Sequence, residues 1–163
     1  MFSLKTTNYK LKSIKGFTLV EILIVLALAG IITLIVAGAF SKATGREALD
    51  KETAIILSLL EQARNQTLSA KNASVYGVHF EASKAALFAS STYSSSSASN
   101  VVEPMNPLVA ISAIALVGGG SEVVFKRLTG ETAQSGTVTI SLLASSTQTK
   151  IITIFATGVA QSN

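Results

Sequence analysis

The chain changes its hydrophobic rhythm twice. Residues 17–40 are almost unbrokenly apolar, and Glu21 is the only charged residue among these 24. A bilayer takes about 20 apolar residues to cross, so the run is long enough to span one. Between residues 41 and 72 the apolar positions return at helical spacing. Leu49, Thr53, Ile56, Leu60, Ala63 and Thr67 make one stripe, and Glu47, Lys51, Ser58, Glu61, Gln62 and Asn65 lie opposite. Glu47 and Lys51 stand i,i+4 in the favourable orientation. No proline interrupts residues 17–72, which predicts one helix of about fifty residues. Gly30, Gly38 and Gly45 are its weak points, because glycine costs roughly 1 kcal/mol against alanine in a helix. Two helices broken near Gly45 are the alternative.

From Val75 onward the period becomes two. Tyr76, Val78 and Phe80 alternate with Gly77 and His79, and Val138, Ile140 and Leu142 alternate with Thr137, Thr139 and Ser141. Residues 84–89, 122–126 and 150–155 read as further strands, rich in β-branched and aromatic side chains. Residues 108–117 are apolar without a clear period. Gly118-Gly119-Gly120, Thr129-Gly130, Ser135-Gly136 and Ser145-Ser146 signal turns. The expected fold is α+β: one long helix, its second half packed on a small antiparallel sheet. Residues 90–100 are serine-rich and read as a flexible surface loop.

Charge sharpens the N-terminal picture. The net charge is +4, which invites a nucleic-acid reading. However, Lys5, Lys10, Lys12 and Lys15 all precede the apolar run, where no acid accompanies them. The remaining nine basic residues are balanced by nine acidic ones. Positive charge keeps a flank cytoplasmic, so the leader should stay inside and the C-terminal body should be exported. There is no cysteine to staple an exported domain, so its core must hold it.

Three readings of this N-terminus stand side by side. A secretory signal peptide would use Ala37-Gly38-Ala39 for cleavage, but such apolar regions usually run about 7–15 residues and lack acids. A plain membrane anchor suits the length and flanks. Neither accounts for Gly16, Phe17 and Glu21 together. An acid inside such a segment costs about 2.5–3.5 kcal/mol even on milder scales, unless it snorkels to the headgroups or finds a partner.

The third reading is a resemblance. Gly16-Phe17-Thr18-Leu19-Val20-Glu21, after a basic leader and before an apolar helix, resembles the prepilin cleavage and methylation motif of type IV pilins and type II secretion pseudopilins. The resemblance implies that a prepilin peptidase cuts between Gly16 and Phe17 and methylates the new amine of Phe17. Residues 1–16 are then a removable leader, 17–40 a retained transmembrane segment, 41–72 the second half of the helix and 73–163 a β-rich domain. It also implies that Glu21 serves filament assembly, by pairing with the amine of Phe17 on its own or a neighbouring subunit. Partners would be the peptidase, other pilin subunits and the inner membrane, with the domain outside the cytoplasm and later in a periplasmic or surface filament. Related pilins loosen the helix in the filament, which makes residues 30–38 a candidate for local melting.

Further along, Val124-Phe125, Gly130, the strand from Thr137, and Gly158-Val159 resemble the C-terminal pattern of H-type pseudopilins and their FimT-like minor pilin relatives. Some FimT-like pilins bind DNA through arginines beside the C-terminal glycine. Here Val159, Ala160 and Gln161 follow Gly158, and only Lys126, Arg127 and Lys150 are basic beyond Val101. Three cations are few for phosphate contacts, so nucleic acid is not an expected partner. The alternatives are a minor pilin that contacts DNA or a surface, and a membrane-anchored domain unrelated to pili.

Catalytic chemistry is sparse. His79 is the only histidine and Asp50 the only aspartate. On its strand His79 shares a side with Gly77 and Glu81, which predicts an exposed imidazole with nothing paired to it. A nucleophilic triad needs a positioned base and an orienting acid, and metal sites need clustered donors. Gly118-Gly119-Gly120 lacks the lysine of a phosphate loop. No enzyme, metal or cofactor is expected.

Overall fold

The computed structural model describes residues 16–163, so the leader, apart from Gly16, lies outside the described residues. Two units separate between Phe40 and Ser41. The helical backbone of α1 is unbroken over Leu19–Leu68, through Gly30, Gly38 and Gly45, so there are not two helices. In the first unit every residue of 17–40 is exposed.

In the second unit the predicted stripe is the packing face. Leu49, Thr53, Ile56, Leu60, Ala63 and Thr67 are all buried, and the six polar residues opposite are all exposed. Among the described residues Glu47 and Lys51 do not meet as an ion pair; Asp50 instead pairs with Lys150 at 3.1 Å.

Eight strands follow: β1 (Gly77–Glu81), β2 (Lys84–Phe88), β3 (Val101–Pro104), β4 (Val109–Leu116), β5 (Glu122–Val124), β6 (Gly136–Leu142), β7 (Ser145–Ile154) and β8 (Ala160–Ser162). They form two four-stranded antiparallel sheets, ordered β3-β2-β1-β5 and β4-β6-β7-β8, where a single small sheet was expected. Together with α1 this is the α+β arrangement. One apolar cluster joins Ile56 and Leu60 of α1 to Val78 and Phe80 of the first sheet and Val138, Ile140 and Ile152 of the second.

The ambiguous run at 108–117 has a physical explanation. β4 carries a register shift between Ile111 and Ala113. Such a bulge adds one residue and reverses the alternation. Burial accordingly falls on Val109 and Ile111 before it and on Leu116 after it. The turn expected at Ser145-Ser146 lies instead at Leu143-Ala144, and β7 already begins at Ser145.

Thr67 ties the helix to the first sheet. Its hydroxyl donates to the Ala63 carbonyl at 2.9 Å and accepts the Tyr76 amide at 2.9 Å. The chain between them turns through Ala70, Asn72 and Ala73, all at positive φ. Near the other end, Gly158 (φ +78°) packs where a Cβ would strike the Gly130 carbonyl. That carbonyl also accepts the Arg64 Nε–H of α1 at 3.2 Å. The glycine before Val159 thus closes the second sheet onto the helix.

Thr67→Val should destabilise the protein by about 1–3 kcal/mol, because it strands a buried amide at Tyr76. Thr67→Ser should recover most of that loss. Denaturant unfolding of the full chain in detergent, followed by tyrosine fluorescence, measures both.

Candidate functional site

The residues of the predicted site sit at the entrance to α1. Gly16, Phe17 and Thr18 precede the helix and are exposed, Phe17 by 80%. The bond between Gly16 and Phe17 therefore lies outside the helix. Among the described residues nothing lies within 4 Å of a Cβ built on Gly16.

Thr18 is the helix N-cap, a role missed in the sequence reading. Its Oγ1 accepts the Glu21 amide at 3.2 Å, and its carbonyl accepts the Ile22 amide at 3.2 Å. Thr18-x-x-Glu21 is the spacing of a capping box, a signal present in the sequence. Glu21 thus occupies the first turn, where the helix dipole favours a carboxylate. Its side chain is exposed and joins no ion pair within 4.0 Å among the described residues. The partner expected for it, a free amine on Phe17, would require a cut between Gly16 and Phe17.

Beyond Glu21, α1 is apolar on all sides through residue 40. It is one helix long and apolar enough to cross a membrane, by length and composition. A helix apolar all round calls for burial in lipid or among neighbours.

Residues 11–37 match the family model of the prokaryotic N-terminal methylation motif. That match covers the junction, the cap and most of the apolar run, and it supports the pilin and pseudopilin relationship. No curated protein and no solved structure matches the chain. The H-type pattern therefore rests on the residues alone.

The second cluster of polar chemistry lies on the outer face of the first sheet, and it corrects the expectation for His79. The imidazole is only 17% exposed. It stacks on Tyr93 of the serine-rich segment, with ring centroids 3.9 Å apart and planes 8° from parallel. Glu81 Oε1 lies 3.7 Å from Nε2, and Glu122 Oε2 lies 4.0 Å from Nδ1. Burial lowers the His79 pKa; Glu81 and Glu122 oppose the shift, and Lys84 adds to it.

The serine-rich segment is itself fastened to the sheet. Glu122 Oε2 accepts the Tyr93 amide at 3.1 Å, and Tyr93 meets Phe88 edge-on at 5.5 Å. Within the segment, Asn100 Nδ2 donates to the Ser94 carbonyl at 2.8 Å. Tyr93, Glu122 and His79 are far apart in sequence, and no local pattern brings them together.

Among the described residues, no group of three histidine or acidic side chains is placed to hold a metal ion. Of the three C-terminal cations, Lys150 is paired with Asp50, and Arg127 donates to the Ala73 carbonyl at 3.4 Å.

Thr18→Ala should cost the first turn of α1 about 1 kcal/mol. Amide exchange at Glu21 in detergent micelles should then accelerate about five-fold, while exchange in the middle of β6 stays unchanged.

Proposed function

We propose that the chain is a structural subunit of a type IV pilus-like or type II secretion filament, with an H-type pseudopilin role as its specific form. The observation that carries this reading is the methylation motif placed at the start of a 50-residue helix, with residues 17–40 exposed among the described residues. Prepilin peptidase cuts between Gly16 and Phe17 and methylates the Phe17 amine. The apolar segment is retained and holds the subunit in the inner membrane, with residues 41–163 outside the cytoplasm. Assembly then moves that segment from lipid into the bundle of neighbouring helices.

Glu21 supplies the register. In an apolar medium its carboxylate and the cationic amine of Phe17 strongly favour each other at short range. The pairing within one chain reaches from the first residue of the mature subunit to the fifth. Pairing with a neighbour fixes the axial step between subunits. The H-type assignment is supported by Val124-Phe125, Gly130 and Gly158 and by the order of β5, β6 and β7. The packing of Gly158 on Gly130 gives that glycine pattern a folding role, independent of any ligand.

Glu21→Ala should leave the membrane-bound fraction of the protein unchanged and lower its incorporation into filaments roughly ten-fold or more, the equivalent of about 1.4 kcal/mol per contact. Fractionation and immunoblotting of sheared filaments measure the two quantities separately. Normal incorporation of the variant would remove the pairing account.

A further inference from the structure

The outer face of the first sheet holds a small second core that the serine-rich segment closes. Antiparallel register places Gly77 against Phe88, His79 against Ala86 and Glu122, and Ala86 against Val102. Directly opposed residues share a face, so these side chains form one surface. Ala86 and Phe88 belong to that surface and not to the main core, yet each is only 1% exposed. Gly77 makes room for the ring of Phe88: a Cβ there would lie 2.7 Å from its Cζ. Tyr93 then lies against Phe88 on one side and His79 on the other. Residues 90–100 are thus a strap, and Tyr93 is its point of attachment.

Besides the edge contact with Phe88, two interactions hold Tyr93, and both meet at His79. The first is the stack on His79. The second is the hydrogen bond from the Tyr93 amide to Glu122 Oε2. His79 Nδ1 is buried and has no hydrogen-bond partner. This suits a neutral ring that carries its proton on Nε2, towards Glu81. A proton added at Nδ1 would create a buried donor with no acceptor in range, since hydrogen bonds of this kind need about 2.7–3.2 Å. The nearest carboxylate oxygen is Glu122 Oε2 at 4.0 Å, which already accepts the Tyr93 amide. Glu81 is committed elsewhere, because Lys84 Nζ lies 3.2 Å from its Oε1.

We infer that His79 is the trigger of a latch: its protonation draws Glu122 away from the Tyr93 amide, and the strap of residues 90–100 lifts from Phe88. The charged and titratable groups around the trigger are Glu81 on β1, Lys84 on β2, Glu122 on β5 and Tyr93 on the strap. The sign follows from burial. The closed strap disfavours the charged ring, so the closed form binds fewer protons than the open one. Closure is fully favoured above the ordinary histidine value of 6.5 and weakens as the pH falls from there through the lowered value. Opening uncovers Phe88 and Ala86, an apolar patch at the edge of which β3 lies free. The device does not depend on the filament reading, since it belongs entirely to residues 77–122.

The test uses the full chain in detergent micelles. His79 is the only histidine, so its imidazole resonance titrates without overlap. The expected result is a midpoint below 6.5, with loss of the His79–Tyr93 ring contacts along the same curve. Protection of the Tyr93 amide, corrected for intrinsic exchange, should fall about ten-fold or more across that curve. His79→Phe keeps a ring to stack on and should leave the strap closed at both ends of the range. If that variant does not fold, His79→Gln should abolish the pH dependence in the same way. Tyr93→Ala should leave the strap open at every pH. A Tyr93 amide whose protection ignores the His79 titration would overturn the latch, as would an unchanged pH response in the His79 variants.

Discussion

Water cannot be left against the apolar side chains of residues 17–40, and among the described residues these stay exposed. Fifteen large apolar side chains of this segment, from Phe17 to Phe40, are exposed. Each stabilises a covered state by about 1.5–3 kcal/mol, so together they favour it by tens of kcal/mol. The one opposing term of note is Glu21, at about 2.5–3.5 kcal/mol. The comparison decides two things. One carboxylate cannot keep the segment out of lipid, and the apolar term is too large for the segment to stand free in water. It needs a covered environment, and lipid is one. A helical bundle of like segments is such an environment, and there an unpaired acid would be felt most.

The second half of α1 and the two sheets answer the same constraint differently. Their apolar surface is covered within the chain, by Ile56 and Leu60 against the strands. With no disulfide, closure depends on a few polar ties that the core protects. Thr67 fastens the helix to the strand at Tyr76, and Arg64 fastens it to the carbonyl of Gly130 beneath Gly158. Residues 41–163 therefore cover their own apolar surface.

Periodicity carried the helix and its buried face into view because a regular helix keeps phase over many turns. It served the strands less well wherever phase was broken. The bulge after Ile111 hid β4, and the turn at Leu143-Ala144 concealed the early start of β7. β3 is exposed along its whole length, so it has no buried alternation to read. At the N-terminus Gly16, Phe17 and Glu21 were legible through the motif they form, whereas Thr18 passed unnoticed beside them as an ordinary member of it. The surroundings of His79 were not legible at all. Glycine at 77 and a stretch of serines gave no hint that Phe88 folds across the one and Tyr93 anchors the other. Such contacts arise only when distant strands are brought into register.

The account stands on the fate of the junction between Gly16 and Phe17. Intact-mass and peptide mass spectrometry of the protein recovered from the native membrane reads it directly. A mature chain that begins with N-methylated Phe17 and keeps residues 17–40 is the predicted result. A chain that begins near Phe40, or one that retains its leader in a host with active prepilin peptidase, would contradict it.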